Sequence, residues 1–348
     1  MLHGGSLLEP KSWLEIRDGN MFKATVLLTV CLVLVFIPPL QAWNRTGHMV
    51  IAEIAYSHLD QKTRHRVDAL LRKHPDYHKL IEEASAEPMD QTRMAFWAAA
   101  IWPDRIRDDP RFFDDGAPPT PPLPGFPDMA RHQMWHYFDI NFSTDGTLVP
   151  KDPPVPNALT QIALLRKSIG NPAVDESIQT YQLPWLLHLV GDVHQPLHCA
   201  NRYTNTQRDP ASGNFIGDLG GNLVFIVGER NLHAYWDNLL GDAQDEKFIA
   251  ALARDLTARV KVSNPIGLDA QEWIDESFRI VKDHVYSFGD GGTKENPASL
   301  SDSYRAMART IAEKQAVLAG YRLAALLGSL FGDHSSVRER AGGQSGAE

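Results

Sequence analysis

"WLLHLVGDVHQPLHCA", Trp185 to Ala200, sets His188, Asp192, His194 and His198 among leucines and valines. The apolar positions follow helical spacing from about Ser177 to Val193, and Pro196 ends or kinks that helix. Buried imidazoles and carboxylates cost free energy unless something pairs with them. The pairing could be a polar core network, a general-acid/base couple or a metal. His188 and Asp192 are four apart, hence about 40° apart around a helix and able to reach one partner. His194 points elsewhere if the helix continues, and the break at Pro196 lets His198 swing back to the first pair.

The rest of the chain repeats the helical pattern. Similar spacing runs through the stretch from Asn44 to Leu59, then Gln61–Lys73, Gln91–Ile101, Leu159–Ile169, Asp245–Val260, Ala270–Val285 and Ser301–Leu330. "GAPPTPPLPGFP" (Gly116–Pro127) and "PKDPPVPN" (Pro150–Asn157) read as loops, the first a potential lid. The only good strand signal is "GNLVFIVGE", Gly221–Glu229, after a turn-like "GDLGG". The expected fold is therefore a mainly α single domain from Trp43 to about Leu330 with a small β-hairpin, followed by a disordered tail at 331–348.

Residues 1–42 read as leader. Met21–Ala42 has a lysine at its start, the apolar run Ala24–Ile37 and the cleavage-like Leu40-Gln41-Ala42, with 1–20 as an upstream segment. The run is short for a membrane span, so the expected product is secreted or periplasmic, begins at Trp43 and has no stable membrane association. Of two cysteines, Cys31 leaves with the leader, so Cys199 has no partner for an internal disulfide and reads as a small buried residue. A net charge of −9 over 348 residues argues against gripping long duplex DNA through a basic face. No obligate protein partner is inferred.

Polar pairs like the opening one recur: His233 and Asp237 in "NLHAYWDNLL", His136 and Asp139 in "MWHYFDI", Asp104 and Arg107 in "AIWPDRIRDD", and His48 in "WNRTGHMV". Singly, each could be a cap or a core histidine. Together they supply the ligands zinc accepts at hydrolytic sites, in numbers that suggest more than one ion.

In order and spacing these motifs resemble the nuclease S-one/P-one family, zinc-dependent single-strand nucleases of fungi and plants related to bacterial phospholipase C. "GDLGGNL" at Gly217–Leu223 also matches. The resemblance implies a helical fold of that kind and three zinc ions. Asp104, His136, His188 and Asp192 would hold the first, and His198, His233 and Asp237 a second, more open one. The third would take His48, Asp192 as a bridge, and the α-amine and carbonyl of Trp43. Arg107 would bind phosphate and, with Asp104, serve catalysis. Tyr137 would stack a base, Asp139 would accept from its edge, and Asn238 would lie beside the base pocket. The implied reaction is hydrolysis of single-stranded DNA or RNA to 5′-phosphates by a zinc-bridging hydroxide, together with 3′-nucleotidase activity. The fungal members carry disulfides that this chain cannot form. The rival readings are a zinc-dependent phospholipase C, a zinc-binding protein without turnover, and a helical domain with core histidines. Two glycosylation sequons, at Asn44 and Asn141, lie beside proposed site residues and carry little weight.

Overall fold

Capping residues mark where most helices begin in the computed structural model, which describes residues 43–82, 91–209, 211–262, 267–289 and 291–332. Asn44 accepts from Gly47 N to start α1 (Arg45–Ser57), and Asp60 from Thr63 N to start α2 (Gln61–Leu71). After the short α3 (Tyr77–Glu82) comes α4 (Gln91–Arg105). Asn157 and Thr160 form a capping box on α5 (Ala158–Ser168), and Asp175 caps α6 (Glu176–Asp192). Asn231, Asp245, Asp269 and Ser301 cap α7 (Leu232–Asp237), α8 (Glu246–Arg259), α9 (Ala270–Ile280) and α10 (Asp302–Phe331). Each cap satisfies an amide that the first helical turn leaves without a partner.

The helices pack around one core. Helix α1 lies at its centre, touching α4, α8 and α10, and α6 packs on α4 and α5. Gly320 lets α10 close on α1, since a Cβ there would sit 2.5 Å from Ile54 Cγ2. Trp43, Trp97, Trp185, Trp236 and Trp273 are fully buried. Indole N–H groups find partners inside: Trp97 donates to Glu53 and Trp236 to Tyr304. All described residues fall in one compact unit. Among them no helix is long and apolar enough to cross a membrane. The leader at 1–42 and the tail beyond Gly332 lie outside the described residues.

The mainly α architecture is as expected, but the hairpin is not at Gly221–Glu229. It is formed by β2 (Ala200–Arg208) and β3 (Phe215–Gly217), antiparallel, with β1 (Ile140–Ser143) parallel on the other side of β2. Leu219, Gly220 and Gly221 adopt positive φ and turn the chain out of any ladder. The apolar run after them bonds to loops instead: Phe225 N donates to Gly292 O and Val227 N to Ala298 O. Helix α4 also outruns its expected end at Ile101, continuing through Pro103 to Arg105.

The Pro-rich stretch is an irregular loop whose ends are zipped together. Phe113 N donates to Met129 O and Arg131 N to Phe113 O. Phe126 anchors it, packing edge-on against Phe112 and Tyr181 and parallel to Trp102.

Candidate active site

The parallel strands align two histidine-bearing turns. A 3₁₀ turn, Gln133–His136, leads into β1, and another, Pro196–Cys199, leads into β2. Below the first rung, Ile140 opposite Ala200, Phe138 N donates to His198 O at 2.8 Å. His198 Nδ1 lies 2.7 Å from His136 O. His136 and His198, far apart in sequence, are thereby locked together.

Helices supply the rest. His188 and Asp192 share one face of α6, as their spacing requires. His188 Nδ1 lies 2.8 Å from the carbonyl of Ala100 on α4. His48 on α1 stacks on His188 with centroids 4.1 Å apart. Gly191 makes that approach possible: a Cβ there would lie 2.8 Å from His48 Nδ1. Asp104 ends α4, and His233 and Asp237 face inward from α7.

The side chains converge as three trios, each with its donor atoms within 4.8 Å of one another: His48–Asp104–His188, His136–His188–Asp192 and His198–His233–Asp237. Asp192 faces two ways. Its Oδ1 lies 3.3 Å from His48 Nε2, and its Oδ2 3.2 Å from both His136 Nδ1 and His188 Nε2. Asp104 Oδ1 is 3.7 Å from His188 Nε2 and 3.9 Å from His136 Nδ1.

Protein hydrogen bonds alone leave this centre unsatisfied. A carbonyl only accepts, so the Nδ1 atoms of His198 and His233, each 2.7 Å from a carbonyl, carry protons. Their Nε2 atoms then meet 3.1 Å apart. Among the described residues His48 Nδ1 and His136 Nε2 are buried without a hydrogen-bond partner. Burial and the neighbouring His188 lower His48, and burial and Arg107 bring His136 to about 3, so both rings stay neutral, the form that binds metal. Burial pushes Asp237 well above the usual carboxylate range, the mark of a negative charge short of a positive one. The donor set, imidazoles with carboxylates, fits a divalent metal such as zinc.

Arg107 borders the clusters. Its Nη2 lies 3.1 Å from Asp104 Oδ1, and its side chain is only 7 % exposed. A surface pair with Asp108 or Asp109 is therefore not its role. Tyr137 and Asp139, both half-buried, follow His136 directly. Tyr137 donates to Met134 Sδ at 2.9 Å, and burial together with Asp139 raises it to about 12. Asn238, exposed at the end of α7, accepts from Asn44 Nδ2 at 2.8 Å. The Asn44 sequon is thus engaged inward, its side chain also capping α1.

Trp43 is fully buried, its indole donating to Gly191 O at 3.1 Å. Asn44 N donates to Asp237 O at 3.3 Å, so the chain at Trp43 runs between α6 and α7. His194 stands apart, as expected: its Nδ1 faces Val190 O and Arg322 donates to its Nε2 at 2.8 Å. Cys199 is free, buried and outside every trio.

Some contributors were not singled out in the sequence. Gln195 donates to Asp237 Oδ1 at 2.6 Å. Asp218 accepts from the backbone amides of Arg202 and Gly221, bracing the loop whose Gly220 carbonyl orients His233. Gln195 lies inside the decisive stretch, and Asp218 inside "GDLGGNL", but nothing in their spacing announces a partner.

The family described as S1/P1 Nuclease matches residues 43–332. Endonuclease 3 of Arabidopsis thaliana is 25% identical over 312 residues, spanning 83% of this chain and 89% of that protein. Endonuclease 4 of the same plant is 25% identical over 336 residues, 86% and 92% respectively. Nuclease S1 of Aspergillus oryzae is 28% identical over 165 residues, 42% of this chain and 52% of that protein. With a match across nearly all described residues and a centre of histidine and aspartate suited to metal, the chain belongs to the S1/P1 nuclease family and is a nuclease.

Proposed function

We propose that this nuclease is a zinc-dependent phosphodiesterase that cuts single-stranded DNA and RNA to 5′-phosphate products and removes phosphate from 3′-nucleotides. The observation that carries the reading is the convergence of imidazoles and carboxylates into three trios, with Arg107 at their border. Asp104, His136, His188 and Asp192 would hold one zinc, His198, His233 and Asp237 a second. His48, Asp192 and the α-amine and carbonyl of Trp43 would hold a third. Zinc bound there lowers the pKa of its water and draws charge from the phosphate.

The chain's own groups do the rest. Arg107 takes a non-bridging phosphate oxygen and stabilises the charge that builds there as the ester opens. Asp104, also a ligand in this reading, holds the guanidinium at the border of the clusters. Tyr137 stacks an unpaired base, a contact contributing about 1–3 kcal/mol and indifferent to sequence. Asp139 bonds the base edge, with Asn238 nearby. A duplex hides both the face and the edge of its bases, hence the preference for single strands. The α-amine of Trp43 exists only after cleavage of the leader, so the enzyme is assembled on export, to the periplasm or the outside.

The test uses protein beginning at Trp43. Release of 5′-nucleotides from single-stranded DNA and RNA, and of phosphate from a 3′-nucleotide, is followed before chelation, after it, and on zinc re-addition. Phosphatidylcholine serves as the control. Zinc-restored nucleotide release with inert lipid is expected. Lipid cleavage alone would transfer the site to phospholipase chemistry, and activity indifferent to chelation would remove zinc from the account.

A further inference from the structure

Gln195 is fully buried between the last turn of α6 and the turn that carries His198. Its backbone bonds in both directions, its N donating to Asp192 O and its O accepting from His198 N, each at 2.9 Å. Its side chain bridges further: Oε1 accepts from Leu197 N at 2.6 Å, and Nε2 donates to Asp237 Oδ1 at 2.6 Å. The amide has one chemically consistent orientation. Leu197 N–H can only donate and so must face Oε1, which turns the NH₂ group towards Asp237. One Asp237 oxygen is thereby occupied, and the other, Oδ2, is left 3.6 Å from His233 Nε2.

We propose that Gln195 is a positioning residue for the His198–His233–Asp237 cluster, holding Asp237 so that Oδ2 alone faces the two imidazoles. This rests on the reading of that trio as a metal site. A neutral amide suits the task. It orients the carboxylate without cancelling the charge that a cation needs, as lysine or arginine would. The same side chain caps the turn that carries His198, so one residue sets two ligands from outside the cluster. Partners of this kind are worth roughly 10- to 100-fold in metal affinity.

Two variants separate the roles. Gln195→Met loses both the cap and the donor. Gln195→Glu keeps an oxygen to cap Leu197 N but sets a negative charge against Asp237. Each mature protein is loaded with zinc and dialysed against graded chelator, and zinc per chain is measured beside thermal melting. Both variants should release one ion at about 10- to 100-fold lower chelating strength, the others leaving as in wild type. Glu should be at least as impaired as Met. Wild-type retention in Gln195→Glu, with loss in Met alone, would reduce the residue to a cap and overturn the proposal. So would parallel weakening of every ion. If His233→Ala costs the otherwise wild-type chain no zinc, the metal reading of the trio itself fails, and positioning fails with it.

Discussion

Asp139 is the carboxylate whose protonation is poised near neutrality. Burial, with Asp218 close by, pushes it up to about 7. In the unfolded chain it would titrate near 3.9. Between those values the folded protein holds a proton that the unfolded chain has released, so its contribution to stability falls as pH rises from about 4 to about 7. Asparagine mimics the protonated form at every pH. Asp139→Asn should therefore melt with wild type near pH 4, increasingly above it up to about pH 7, and by a constant margin at higher pH. Zinc ligation also depends on pH, but equally in both proteins, and the difference isolates Asp139. A gap that stays constant across this range would refute the raised pKa. The same proton gives the residue its functional interest, because a protonated Asp139 both donates to and accepts from a base edge, whereas the ionised form only accepts.

At the scale of elements, helix α6 poses a conflict between propensity and packing. Gly191 sits one residue before Asp192, and alanine in a helix is worth about 1 kcal/mol over glycine. Yet a methyl there would press on His48, at 2.8 Å from Nδ1 and 3.0 Å from Cε1. Gly191→Ala should keep its helix content and lose zinc from the ligand set containing His48, with activity down at least about tenfold. Circular dichroism and zinc per chain check this, and full zinc retention at wild-type affinity would show that His48 tolerates displacement. The helices themselves were legible because apolar spacing acts within one element: the run from Ser177 to Val193 announces α6 without reference to anything distant. The hairpin was not. β2, "ANRYTNTQR", has little apolar alternation and depends on β1 and β3 for its bonds. Gly221–Glu229 has the composition of a strand but finds its partners in loops. The polar groups of the site were legible as residue types at repeated spacings, whereas Gln195 and Asp218 act through contacts that spacing cannot express. Helix α4 runs past Ile101 because Pro103 stands in its final turn, where the helix tolerates the lost bond.

For the whole molecule the question is what holds α1, α4, α6 and α7 at one point, since each brings polar groups into a shared interior. Cys199 is free, so no disulfide links these helices. The imidazoles and carboxylates that meet there are costly to bury and lack full satisfaction from protein partners. A metal that binds the folded chain and not the unfolded one stabilises it by about 2.7 kcal/mol at 100 times its dissociation constant, and by more as binding tightens. Zinc should therefore serve as the cross-link this chain lacks. Chelation should lower the melting temperature, zinc should restore it in a concentration-dependent way, and a reducing agent should change nothing. Adding one residue before Trp43 sharpens the experiment, because it moves the α-amine away while leaving every side chain in place. That protein should keep the fold, bind one zinc fewer and regain only part of the melting temperature on zinc addition. Equal zinc content and equal recovery in the two proteins would separate the centre from the chain start and place all its ligands on side chains.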